Sequence, residues 1–87
     1  MYSLDIAPEL DRKLIKLIKK DRTKYEIIMR KASEIVNSPH HYKNLRAPMQ
    51  RFKRVHINSH FVLVFSVDES TNTVVLEDFD HHDSIYK

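Results

Sequence analysis

The 87 residues predict an α+β fold of order β-α-α-β-β-β, an N-terminal helical hairpin packed on a mostly antiparallel four-stranded sheet. Three observations carry that prediction. Leu10, Leu14, Leu17 and Ile18 recur at i, i+4, i+7 and i+8, the apolar stripe of an amphipathic helix. Residues 61–67 (FVLVFSV) and 73–79 (TVVLEDF) are crowded with β-branched and aromatic side chains and read as strands. Helices that precede a run of strands place themselves on one face of an antiparallel sheet.

Each element has its own signal. Residues 2–6 alternate Tyr2, Leu4 and Ile6 with Ser3 and Asp5, the period of a half-buried strand. Pro8 suits the first turn of a helix, and Glu9 and Asp11 sit near the positive end of its dipole. Arg12, Lys13, Lys16, Lys19 and Lys20 occupy much of that helix's polar side. A break follows at Asp21–Arg22, after which Thr23 and Glu26 match a capping box and start a second helix. Its stripe is Tyr25, Ile28, Met29, Ala32, Ile35 and Val36, and Pro39 stops it. Leu10, Leu14, Leu17, Ile28 and Ile35 are assigned to the core.

Residues 39–51 (PHHYKNLRAPMQR) are irregular, and a short basic strand follows at 52–57. Alternation there sends Val55 and Ile57 into the core and leaves Arg54 and His56 on the other face. Glycine is absent, so the turns at Asn58–Ser59 and 69–72 depend on Asn, Ser and Asp, which tolerate left-handed backbone. The chain closes on Asp80-His81-His82-Asp83, its densest cluster of titratable side chains.

Composition narrows the function. Eighty-seven residues with 41% hydrophobic and 31% charged side chains make one domain, 1–87, around one core. No run approaches the roughly 20 apolar residues of a membrane span, so no membrane partner is expected, and the absence of cysteine fits a reducing cytoplasm. Without cysteine there are no disulfides or thiolate metal sites. Without glycine there is no Gly-rich phosphate loop. Residues 1–54 hold 14 Lys and Arg against 6 Asp and Glu, a balance of +8, while residues 55–87 hold 1 against 6, a balance of −5. A polyanion-binding face follows if folding gathers those positives on one side. Lys43, Arg46, Arg51 and Lys53 are the candidate RNA- or phosphate-binding group.

Metal binding is not expected, because adjacent histidines in a strand point to opposite faces and supply no tetrahedral set. No cofactor is expected either.

The element order and three segments together resemble the RelE toxins of toxin–antitoxin systems. The segments are Phe52-Lys53-Arg54-Val55-His56-Ile57, Phe61-Val62-Leu63-Val64-Phe65 and His81-His82-Asp83-Ser84-Ile85-Tyr86. The resemblance implies a ribosome-dependent mRNA endonuclease in which the ribose 2′-hydroxyl attacks the adjacent phosphate without a metal. Such chemistry needs a base, cations for the phosphorane and an acid for the 5′-oxygen. Family positions for these tasks fall here on the second-strand residues Lys53, Arg54 and His56, on Val62 where the family has an arginine, and on His82, or His81 if the register slips by one. The terminal tyrosine falls on Tyr86, a candidate to stack on a base. Two family arginines are therefore replaced, which implies either that histidines have taken over the acid–base work or that activity is weak. The family's C-terminal helix has no counterpart in this expectation. Implied partners are a RelB-like antitoxin, the ribosome and mRNA, with operator DNA reached only through the antitoxin. Two rival readings stand beside this one: a catalytically degenerate toxin that binds its antitoxin and co-represses its operon, and a general RNA-binding module.

Overall fold

The computed structural model describes residues 2–85. Strand β1 spans Ser3–Ile6 and helix α1 spans Pro8–Lys20, with Pro8, Glu9 and Asp11 in its first turn and Lys19 and Lys20 in its last. Helix α2 spans Arg22–Asn37. The single residue between the helices serves both. The Asp21 N–H donates to the Leu17 carbonyl at 2.7 Å, and its carboxylate accepts from the Lys24 N–H at 3.1 Å. The expected Thr23 cap is thus displaced by two residues. Aspartate caps as well as threonine, and here it stands where α1 ends, so no residues are left over for a later start. Glu26, expected to close the box, instead lies 3.5 Å from Arg22 one turn back.

Strands β2 (Lys53–His56), β3 (Phe61–Asp68) and β4 (Thr73–His81) complete a sheet of order β1-β4-β3-β2. β1 pairs with β4 in parallel, and the other two pairings are antiparallel. The glycine-free turns are built as expected. Asn72 takes φ = 52°, and the Asn58 side-chain oxygen accepts from the His60 and Phe61 N–H groups. Asp68 accepts from the hydroxyl and N–H of Ser70, and those bonds hold its carboxyl below the usual range.

One exposure and two boundaries differ from expectation. Leu4 is 40% exposed rather than inward, because β1 is an edge strand with a sheet neighbour on one side only. β4 runs two residues past Phe79 and takes in Asp80 and His81. Residues His82–Ile85 then form one helical turn, α3, where no C-terminal helix was expected.

β3 is buried on both faces. Leu63 and Phe65 join Leu10, Leu14, Ile28, Ala32, Ile35, Val74, Leu76 and Phe79 in the core beneath the helices. Val62 and Val64 point the other way and cluster with Leu45, flanked by Phe52 and Ile85. Lys13 ties α1 to β4 beyond the end of β1, donating to Asp78 at 2.7 Å, to the Phe79 carbonyl and to Asp80. Partial burial works against its charge, yet Asp78 and then Asp80 outweigh that and raise its pKa.

Phe65 is the largest fully buried side chain and meets Tyr42 edge-on at 5.7 Å. Phe65→Ala is expected to lower unfolding free energy by about 3–5 kcal/mol in urea titration, whereas a loss under ~1 kcal/mol would mean the core is not seated on β3.

Candidate functional site

The sheet face turned away from α1 and α2 carries a cleft, and β2 begins it. Arg54 lies opposite Val64 and His56 opposite Val62 in the β2–β3 register. Val55, between them, packs on the core under the helices. The pleat therefore turns Arg54 and His56 to the far face.

The irregular stretch forms the cleft's wall by folding back along β2. Asn44 bridges to Lys53, the Leu45 N–H donates to the Phe52 carbonyl, and the Arg54 N–H donates to the Lys43 carbonyl. At the tip, the Met49 N–H donates to the Arg46 carbonyl and the Asn44 side-chain amide to the Gln50 carbonyl. The opposite wall is α3. The His82 N–H donates to the His60 carbonyl at 2.6 Å, and this bond fixes the point where the chain leaves the sheet. The His82 ring then stacks on His56, with centroids 5.8 Å apart and planes 23° from parallel.

The cleft, open to solvent, has a volume of about 610 Å³ and is lined by Arg46, Arg54, His56 and His82, with Leu45, Met49 and Ile85 among its apolar walls. Among the described residues, no carboxylate lines it. Two imidazoles in contact beside two guanidiniums suit an anionic ligand on which one proton is removed and another supplied.

The other sequence-derived candidates lie elsewhere. His81, the last residue of β4, points to the helix side, where it stacks on His60 at 5.9 Å and meets Phe61 edge-on. Extension of β4 causes this: strand alternation carries His81 away from the face that His82 reaches through α3. Of the flanking carboxylates, Asp80 is engaged by Lys13, while Asp83 lies 3.8 Å from His81 Nδ1 and 3.7 Å from His82 Nδ1. Lys53 donates to the Tyr42 carbonyl and the Asn44 side chain, tethering the loop. The Arg51 guanidinium covers the Phe52 ring at 4.6 Å. Lys43 is exposed beside the cleft wall, and Tyr86 falls outside the described residues. Among the described residues, no three His, Asp or Glu side chains gather as metal ligands would.

Sequence reasoning missed Leu45, Met49 and Ile85 as cleft walls, and His60 as the partner of His81. The first three are apolar residues in segments without helical or strand period. That unexplained apolarity beside Pro48 was the available signal.

No protein-family model matches the chain. The chain is 58% identical over 87 residues to the candidate toxin RelE4 of Methanocaldococcus jannaschii, covering 100% of this chain and 93% of that protein. It is 60% identical over 86 residues to an uncharacterized protein of Methanosarcina mazei, covering 99% and 100% respectively. A chain of the toxin–antitoxin complex RelBE2 of Mycobacterium tuberculosis superposes with a TM-score of 0.78, 20% identity, and coverage of 93% and 98%. That last likeness is one of fold.

Val62 holds the position where the resemblance expects an arginine, and it is fully buried beside Leu45. Val62→Arg is expected to destabilise the protein by about 3 kcal/mol or more, since a guanidinium there loses its hydration against Leu45 and Val64, and the carboxylate across from it, Asp80, is already engaged by Lys13. Urea denaturation reads the difference, and unchanged stability would show that this patch does not close over β3.

Proposed function

The chain belongs to the RelE toxin family, and from that premise we propose that it is the toxin of a type II toxin–antitoxin system, a ribosome-dependent mRNA endonuclease that inhibits translation. The observation that carries the reading is the stacked His56–His82 pair in a cleft with Arg54 and Arg46. The 58% identity to the Methanocaldococcus protein supports it from the sequence side.

The proposed reaction is metal-independent in-line transfer. Neutral His56 removes the proton of a ribose 2′-hydroxyl, whose oxygen attacks the adjacent phosphorus. The bond from phosphorus to the 5′-oxygen breaks, and protonated His82 gives its proton to that oxygen. The products are a 2′,3′-cyclic phosphate and a 5′-hydroxyl, with the two imidazoles left in exchanged protonation states. Arg54 and Arg46 neutralise the charge that builds on the phosphorane. Val62 cannot share that task, so it rests on these two guanidiniums.

Lys43 and Arg51, exposed at the rim, contact flanking phosphates, and Lys53 acts by holding the loop. Tyr86 stacks on a base. His81 belongs to the proposed site only if the chain end rearranges on the ribosome. The partner that silences the toxin is a RelB-like antitoxin laid over the cationic cleft. The fold's likeness to a chain of a toxin–antitoxin complex supports that partner, and operator DNA is reached through it. No helix among the described residues is long and apolar enough to cross a membrane, which accords with action on cytoplasmic ribosomes.

A second reading, a degenerate toxin that binds antitoxin without cutting RNA, draws on Val62. Growth arrest on induction without antitoxin separates the two.

Primer extension on a defined transcript in a translation extract tests the proposal. Cleavage is expected with wild type, while His82→Ala and Arg54→Ala lower its rate by about 10²-fold or more. A transition-metal chelator at constant Mg²⁺ leaves the rate unchanged, and ribosome-free RNA is cut poorly. Full activity in both variants overturns the site, and no cleavage by wild type overturns the activity.

A further inference from the structure

The positive half of the chain does not gather on one face. Part of it lines the cleft and its rim, but the cations of α1 lie across the molecule, because α1 packs on the opposite side of the sheet. Arg12, Lys16, Lys19 and Lys20 are all exposed. Helix geometry places Arg12, Lys16 and Lys19 within an arc of ~60°, at ~6 and ~10.5 Å along the axis from the first. Lys20 flanks the row.

None of these four has a hydrogen-bond or ion-pair partner among the described residues. Their neighbours differ. Lys13 is held by Asp78 and Asp80, and on or beside α2 the cations Arg22, Lys24 and Lys31 each lie within 4 Å of a carboxylate, at 3.5, 3.9 and 3.8 Å. The acidic residues of α1, Glu9 and Asp11, are confined to its first turn. Placement at the helix C-terminus accounts for Lys19 and Lys20, which complement the dipole there. It does not account for Arg12 and Lys16. Like charges spaced i, i+4 repel each other in the free helix, and a polyanion relieves that repulsion.

We propose that the outer face of α1 binds the phosphate backbone of folded RNA, as a second contact distinct from the cleft. An acidic peptide fits less well. Peptide docking depends on apolar anchors in pockets, and the row is bordered by one exposed apolar side chain, Ile15. Backbone binding to nucleic acid needs only an aligned set of cations. Since the helix layer and the sheet separate the row from the cleft, the RNA held at α1 is not the segment that enters the cleft. This contact goes beyond the cleavage reading, because it stands whether or not the cleft cuts RNA.

Fluorescence anisotropy with a labelled 20-base-pair RNA duplex tests it, over a range of salt concentrations. Wild type is expected to bind, with log Kd rising linearly in log salt. The Arg12→Gln/Lys16→Gln/Lys19→Gln variant is expected to lose about tenfold or more in affinity, and its slope to fall by about 2–3, at roughly 0.7–0.9 per phosphate contact. Arg12→Gln alone should lower the slope by about one. Lys31→Gln, on α2 and already paired with Glu34, should leave duplex binding unchanged. Failure of wild type to bind, equal slopes for wild type and triple variant, or equal losses of affinity for a labelled poly-glutamate peptide and the duplex would each overturn the proposal. Cleavage assays keep the two ideas apart. Full cleavage activity in both His82→Ala and Arg54→Ala removes only the cleft, and the salt dependence of the α1 variants decides the duplex contact by itself.

Discussion

β3 is the constraint on which the rest of the molecule depends. Its alternate residues are buried on both faces, Leu63 and Phe65 under the helices and Val62 and Val64 under Leu45. A strand buried on one face resists register slip, because a shift of one residue exchanges its faces. A strand buried on both, with large residues on one side and valines on the other, resists it twice over. β3 is also the only strand that pairs with both β2 and β4. Its register therefore sets where Arg54 and His56 stand, and also where β4 ends and His82 begins. The contact between His56 and His82 follows from two pairings to one strand.

That dependence explains the division of labour around the cleft. The buried valines make a firm floor, while Arg46, Arg54, His56 and His82 border it. Among the described residues no polar or charged side chain is buried, so the cationic groups stay hydrated until a ligand covers them. The loop formed by residues 42–52 is held by backbone hydrogen bonds to β2 and by Lys53. Lys53 thus contributes by shaping the wall and not by facing the cleft. Cations placed on α1 form a separate face, and a single electrostatic patch does not describe this protein.

Much of this was legible in the sequence where a period was present. The helical stripes, the two apolar strands and the Asn-dependent turns all appear where periodicity and turn chemistry put them. Alternation in the basic strand also placed Arg54 and His56 on one face. Errors fell where local signals competed. Thr23 and Glu26 form a good capping pair, but Asp21 already capped both helices. The polar Asp80 and His81 read as the end of a strand, yet pairing with Val62 and Phe61 carries β4 through them. That extension separates two histidines that are adjacent in sequence. The cleft's apolar walls lacked any period, so only the tertiary fold could assign them.

The central claim is that two stacked imidazoles divide the proton transfers, His56 as base and His82 as acid. The most direct test is the pH dependence of single-turnover mRNA cleavage on ribosomes for wild type, His56→Ala and His82→Ala. A base must be neutral, so its requirement makes the rate rise with pH, and an acid must be protonated, so its requirement makes the rate fall. The account predicts a bell for wild type, loss of the rising limb in His56→Ala and loss of the falling limb in His82→Ala. Profiles of unchanged shape in both variants would contradict it.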